Sequence, residues 1–590
     1  MKFLHHFLKL LLSLFFTFLF YWFFSNSGSF WLVLIITVIF FYLVFPISGT
    51  IIKCLFYLFT KPVYLKQIDE IIEKGVPENI KVAFFRPIFA KTFLEVQSLL
   101  DSMKQDIINS QEKGKNFKFI VIDNTRDEKV KQETRDAIKK LQQEFGEDVV
   151  FYFHRNVKCD FFKKVGILFD AILLLYEGKT RPVIYTDKKW APWAKDLRNP
   201  EIPLWDVILG DVKALGIEGT VEEILAGKDV KINPEKRIKA VFVSDADNVW
   251  PKGEVRKVIA KMFHPDNSDV VIFQPLIEIS NPEENLFIKI NHFAREATRF
   301  DSIVKWRMYG FSPFYGKGAM NIDNYVKEVI KSEWLHPGYA ASHDFQEALK
   351  GETVLLEDVK IMEKTFSNKV SELKRFAQWQ WGDLETVRQY LFKKFDAGRK
   401  SHLWTLFRAL IGNFIFDIWL ILLVVLLNYS APKSKYWFLI YLVFLYIVGF
   451  LVCDFVVPIF NKIKKRLIFG TMKTGEVIWR GFLHTLFSIL ISHLDLVYQP
   501  IAFIKNFLRQ LKGQQFVWIT GAMGEIETAG MSLFGIYKSL WLPVLFGFIL
   551  LILEFTFLFP VIVKIILLPY TVSFLLGPWA IWFTSRSRKS

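Results

Sequence analysis

Residues 241–250 read VFVSDADNVW, an apolar run that stops abruptly at Ser244-Asp245-Ala246-Asp247-Asn248. Val241, Phe242 and Val243 are residue types that suit a buried strand. Carboxylates are costly inside a core, so the end of this strand faces water or a charged ligand. A single terminal aspartate is the ordinary residue of a turn or helix cap. Two of them flanking a small alanine also suit a hard divalent cation, which neutralises a diphosphate.

Neighbouring segments decide what kind of sheet this strand joins. KVAFF (81–85), FKFIVID (117–123), VVFYF (149–153), KAVFVSD (239–245) and VVIFQ (270–274) read as short buried strands. Amphipathic helical patterns lie between or after them at 92–107, 128–145, 160–177 and 252–263. Such alternation predicts an α/β domain with a mainly parallel, Rossmann-like sheet and helices on both faces. Ligands of these sheets bind beyond the carboxyl ends of the strands. The first candidates for chemistry are therefore Asp123-Asn124, Asp245-x-Asp247 and Lys164-x-Gly166.

The rest of the 590-residue chain is of a different kind, rich in Phe (61) and Trp (18). Apolar runs of spanning length occupy 8–24, 30–46, 410–428, 437–459, 540–560 and 562–583. The first could be a signal peptide, but no A-x-A-like cleavage site follows and a second run comes at once, which favours a membrane hairpin. Charge supports the division. Residues 1–66 hold five Lys/Arg and no acid, residues 401–590 hold 17 basic against 7 acidic, and residues 67–400 hold 53 against 52. The net charge of +16 thus sits beside the apolar runs, where it sets topology and meets anionic lipid. A nucleic-acid binder needs a basic face on its folded domain, so that class is excluded. Clusters at Lys53/Lys61/Lys66, Arg399/Lys400, Lys462–Arg466 and Arg586–Lys589 share one side, the cytosol by the positive-inside rule.

The expected organisation is a two-span hairpin (1–66), a cytosolic domain (67–400) and a C-terminal membrane region (401–590), with six to eight spans in all. Residues 478–512 read as a shallow hairpin or as helices lying in the interface. Cys54, Cys159 and Cys453 form neither a disulfide framework nor a zinc pattern.

Two later stretches, ASHDFQEA (341–348) and ELKRFAQWQWGD (372–383), complete a series. With the D-x-D and the membrane order, the chain resembles the processive family-2 glycosyltransferases of membranes. It is most similar to the glucans biosynthesis glucosyltransferase H family, which makes osmoregulated periplasmic glucan. The transferase module of cyclic β-1,2-glucan synthases is a second resemblance, through Gly382-Asp383.

The resemblance implies a glycosyltransferase-A fold and inverting transfer of glucose from UDP-glucose to a growing, β-1,2-linked glucan, coupled to export across a bacterial inner membrane. It implies that Asp123 holds the uracil or ribose of the donor. Lys164, Asp245 and Arg375 would serve the donor too, with Asp247 and Asp245 on Mg²⁺ or Mn²⁺. Asp344 of Ser342-His343-Asp344-Phe345 would be the general base. Tyr315, Gly316, His343 and Trp379 would line the acceptor path, and residues near 514–530, with Phe516–Thr520, would form a gating loop. Expected partners are UDP-glucose, the glucan, membrane lipids and a periplasmic glucan-processing protein, with no nucleic acid.

The residues also admit plainer readings. Ser342 and Asp344 can cap a helix, and Trp379 and Trp381 can anchor a membrane interface. The chain also departs from the family pattern: Gln378 replaces a basic residue, Lys164-Val-Gly166-Ile167 lacks an amide, and Arg86-Pro87-Ile88-Phe89 lacks the polar residues after the first-strand proline. An insert at about 178–236 precedes the D-x-D strand and contains a capping box at Thr220–Glu223. Two other functions fit the series: a synthase of another polysaccharide, or a non-catalytic nucleotide-sugar-binding scaffold.

Overall fold

The computed structural model of the chain describes residues 2–27, 29–110, 116–156, 164–181, 203–331, 343–392, 400–512, 514, 521–556 and 559–586. Ten strands occur among them: β1 (Lys81–Ile88), β2 (Phe117–Asp123), β3 (Val150–Arg155), β4 (Trp205–Leu209), β5 (Ile217–Glu218), β6 (Lys231–Ile232), β7 (Ile238–Val243), β8 (Ile272–Ile279), β9 (Gly318–Asn321) and β10 (Thr353–Glu363). Eight of them form one sheet in the order β10-β8-β9-β7-β1-β2-β3-β4. Only β9 and β4 run antiparallel to their neighbours. The five strands expected from sequence are β1, β2, β3, β7 and β8.

Both faces of the central strands are buried, which explains their nearly continuous apolar runs. Side chains still alternate along β2. Phe117, Phe119 and Val121 join one core, while Ile120 and Ile122 join the other. Registered pairing places Phe84 beside both Phe119 and Phe242. Their rings stack at 4.6 and 4.9 Å, an aromatic row that ties β2, β1 and β7 together. The chain builds outward from β1 to β2 and β3, then returns to lay β7 on the other side of β1. That reversal is the switch point where open α/β sheets receive ligands.

Three sheet strands escaped the sequence reading for physical reasons. β9 is four residues, Gly-Ala-Met-Asn, too short and small to alternate. β10 is interrupted by a register shift between Leu356 and Lys360, where Glu357 turns inward to a bidentate pair with Arg307 (2.8 and 2.5 Å). β4 comes from the insert and closes the edge beside β3. Its Asp206 bonds Lys131 at 2.8 Å and also His154. The insert further contains the β5–β6 hairpin and the expected Thr220–Glu223 capping box. Its residues 182–202 lie outside the described residues.

Exposed large apolar side chains are nearly confined to the two ends of the chain. Among the described residues between 65 and 375 they are Leu94, Ile108 and Tyr315. Among the described residues four helices are long and apolar enough to cross a membrane: Lys2–Phe24, Phe30–Phe59, Lys435–Ile463 and Val561–Ser585. The number rises to six if two bent pairs each count as one span, Thr474–Ile491 with Leu494–Leu511 (53°) and Leu533–Ser539 with Trp541–Phe555 (82°). Six to eight spans were expected, so the expectation is met only at its lower bound. The run at 410–428 belongs to helix Lys400–Tyr429, but its apolar part, Phe414–Tyr429, is shorter than a full span.

Helix Leu494–Leu511 shows Ile501, Ile504, Leu508 and Leu511 outward and buries Asn506 and Gln510. Those two amides donate to the carbonyls of Ala377 (2.8 Å) and Trp381 (3.0 Å) on helix Lys369–Phe392. Lys369 adds an ion pair to Asp495 at 3.2 Å. The α/β domain and the apolar region are therefore joined along a helix–helix seam.

Candidate functional site

The loop after β7 is held from below. Arg86 of β1, 1% exposed, donates to the carbonyls of Asp245 (2.5 Å) and Asn248 (2.7 Å). Its charge is balanced by Asp106, which also accepts from the Trp250 amide at 2.7 Å. Ser102 donates to the Ala246 carbonyl at 2.6 Å, and Asn248 accepts from the Asp245 amide at 2.8 Å. With its backbone groups so satisfied, the loop presents two carboxylates at the switch point.

Those two carboxylates have different surroundings. Asp245 meets Lys164 on one oxygen (2.6 Å) and Lys317 on the other (3.1 Å). Lys317 continues to Glu363 at the end of β10 (2.7 Å), which also pairs with Arg295 (3.2 Å). The result is a row of alternating charge: Lys164, Asp245, Lys317, Glu363, Arg295. Burial opposes the charge on Asp245, but Lys164 and Lys317 outweigh it and hold the carboxyl well below its ordinary range. Burial likewise disfavours the Lys317 ammonium, yet Glu363, Asp245 and Asp247 raise its pKa above the usual lysine value. Asp247 has no hydrogen bond or ion pair among the described residues. Burial, with Glu363 and Asp245 nearby, pushes its carboxyl up.

Gly316 links this row to the expected base. Its carbonyl accepts from Lys164 at 2.8 Å, and its φ of +72° is the left-handed region that favours glycine. A Cβ there would lie 2.6 Å from Asp344 Oδ2, so the Asp344 carboxylate rests directly on the glycine. Asp344 stands in the first turn of helix His343–Lys350. Ser342 and the His343 side chain lie outside the described residues, as do Phe516–Thr520 of the expected gating loop. The described helix Gly521–Thr528 docks on the start of helix Lys369–Phe392, where Glu525 accepts from the Ser367 amide (3.0 Å) and the Ser371 hydroxyl (2.6 Å).

The remaining predicted residues divide. Arg375 lies close enough to lower the pKa of both Asp245 and Asp247, and its guanidinium sits over the rings of Phe366 and Trp379 (5.1 and 5.7 Å). Trp379 is 38% exposed and Tyr315 43%, so both offer an aromatic surface. Trp381 is buried under Arg509. Asp123, by contrast, is fully buried; it accepts from the Tyr152 hydroxyl and the Thr125 amide, both at 2.7 Å. Sequence reasoning missed Glu363 and Arg295, and gave Lys317 and Arg86 no role of their own. Lys317 was readable as a charge beside Gly316, but its partners depend on β9 turning back between β7 and β8.

Among the described residues of the site, Asp247 is the donor that fits a hard cation. Asp247 is an unsatisfied carboxylate oxygen donor, as Mg²⁺ or Mn²⁺ requires alongside phosphate and water. Asp245 has both oxygens taken by ammonium groups. Among the described residues no group of three or more His, Cys, Asp or Glu side chains forms a metal cage.

No family model matches the chain. It is 22% identical over 339 residues to the cyclic β-(1,2)-glucan synthase NdvB of Rhizobium meliloti (strain 1021), covering 52% of this chain. The match spans 11% of that much longer protein. Among solved structures, a mannosyltransferase from Pyrobaculum calidifontis, PcManGT in complex with GDP-Man and Mn²⁺, aligns over 82% of this chain and 99% of its own, with 8% identity and a TM-score of 0.37. S. aureus TarS 1–349 aligns over 75% and 95%, with 10% identity and a TM-score of 0.27.

Proposed function

We propose that the chain is an inverting membrane glycosyltransferase that uses UDP-glucose to elongate a β-1,2-linked glucan. The observation that carries this reading is the Lys164–Asp245–Lys317 row, with Asp247 beside it, joined to Asp344 through Gly316 at the switch point of the sheet. The partial likeness to a glucan synthase supports the product class.

In this reading Lys164, Lys317 and Arg375 bind the donor diphosphate, while Trp379 and Tyr315 stack on acceptor sugar. Asp344 accepts the proton of the acceptor hydroxyl as its oxygen bonds the anomeric carbon. The bond from that carbon to the diphosphate oxygen breaks, and UDP departs with the electron pair. Asp247 would hold Mg²⁺ or Mn²⁺, which supplies charge stabilisation to the leaving diphosphate. The α/β domain is cytosolic, the membrane is the bacterial inner membrane, and the apolar helices pass the product outward.

The test is UDP release by the full chain in lipid nanodiscs, with UDP-glucose and either metal, followed by linkage-specific digestion of the product. Release with a β-1,2-glucanase-sensitive polymer is expected. Polymer of another linkage transfers the reading to another polysaccharide. Metal-dependent UDP binding without turnover of any UDP-sugar makes the chain a nucleotide-sugar sensor.

A further inference from the structure

Lys317 joins two carboxylates, Asp245 and Glu363, and both of these raise the cost of ionising a third, Asp247. As they stand, these acids do not form a metal cage. Here a lysine occupies the gap. Lys317 Nζ, only 7% exposed, lies 2.7 Å from Glu363 and 3.1 Å from Asp245, while Lys164 takes the other oxygen of Asp245. A metal ion entering alone would meet one unpaired carboxylate and two fixed positive charges. A nucleotide diphosphate changes that balance, because its phosphates are attracted by both ammonium groups and supply the oxygens the metal lacks.

We propose that Lys317, with Lys164, is a tethered counter-cation that prevents Asp245, Asp247 and Glu363 from binding a divalent metal before the donor diphosphate arrives. Metal and nucleotide therefore enter together. This rests on the reading of the site as a nucleotide-sugar site, but its core claim concerns metal binding without nucleotide. It makes Lys317 a positioning residue that acts through charge, and it separates the roles of the two aspartates: Asp247 takes the metal, Asp245 holds the lysines. Ion pairing survives loss of Lys317, since Glu363 keeps Arg295 and Asp245 keeps Lys164.

The experiment is Mn²⁺ binding to the full chain in nanodiscs, followed by electron paramagnetic resonance without nucleotide and then with UDP. Wild type should bind Mn²⁺ weakly alone and more tightly with UDP. Lys317→Gln should raise nucleotide-free Mn²⁺ affinity at least about tenfold, as expected for removing a unit charge at such short range. Lys317→Arg should stay near wild type, and adding Glu363→Gln to Lys317→Gln should abolish the gain. Lys164→Gln, at a more exposed position, should give a smaller gain and keeps the test open if the buried variant does not fold. Unchanged nucleotide-free affinity in folded Lys317→Gln or, failing that, Lys164→Gln overturns the proposal. Tightening in these variants without any effect of UDP on the wild type would leave the counter-cation standing and sink the nucleotide-sugar reading instead.

Discussion

Strands β2 and β7 flank β1 on either side, and both run into aspartates at their carboxyl ends, yet the two ends are chemically unlike. Asp123 after β2 is sealed in, and its oxygens are satisfied by a neutral hydroxyl and a backbone amide. Asp245 after β7 is partly exposed and satisfied by two ammonium groups, with Asp247 beside it. A carboxylate held by neutral donors fixes a turn, whereas one held by lysine ammonium groups sits beside positive charge that an anionic ligand can share. The kind of partner, and not the aspartate itself, distinguishes an enclosed strand end from one open to a ligand.

Changes at the β7 end should strike activity before stability. Asp344→Asn is expected to lower turnover by roughly 10³-fold, within what a positioned general base contributes, while Mn²⁺–UDP binding persists. Asp247→Ala should remove the metal dependence of UDP binding and cost roughly 10²-fold in turnover. Calorimetric titration with and without Mn²⁺ separates the two variants. Gly316→Ala meets both the Asp344 carboxylate and an unfavourable φ, so a stability loss of about 1–3 kcal/mol should accompany a fall in kcat.

The β2 end should behave in the opposite way. Asp123→Asn sets an amide against the Tyr152 hydroxyl or the Thr125 amide, at a cost of about 1–3 kcal/mol, with the donor KM little changed. A large rise in KM at an unchanged melting temperature would break the comparison and restore the donor contact implied by resemblance. The smallest effect belongs to β4. Burial pushes Asp206 up, but His154 and Lys131 outweigh it and hold the carboxyl at about 2 against an ordinary 3.8. Its stabilisation is therefore present above pH 3.8 and is lost as pH falls through about 2. Hydrogen exchange along β4 should speed up in that window and not above it.

Much of this was legible in sequence because it is local. Buried strands announce themselves by apolar runs, and Thr220 and Glu223 carry their capping box within four residues. The D-x-D was visible for the same reason. The hidden parts depend on distant pairing. Lys317 becomes meaningful only when β9 inserts antiparallel between β7 and β8, and Glu363 only when β10 resumes register after Lys360. Arg86 reads as a stray charge in a strand until the loop at 245–248 folds over it. The enclosure of Asp123 was hidden in the same way, since Tyr152 reaches it only when β3 pairs beside β2.

The seam between helices Lys369–Phe392 and Leu494–Leu511 restricts how the site can move. Asn506 and Gln510 are one turn apart, and so are the carbonyls they grip at Ala377 and Trp381. Sliding by a fraction of a turn would strand both buried amides at once. The register is restored only after a full turn, about 5.4 Å. The helix that carries Arg375 and Trp379 is thus geared to the membrane region like a ratchet: it holds its notch or advances by a whole tooth.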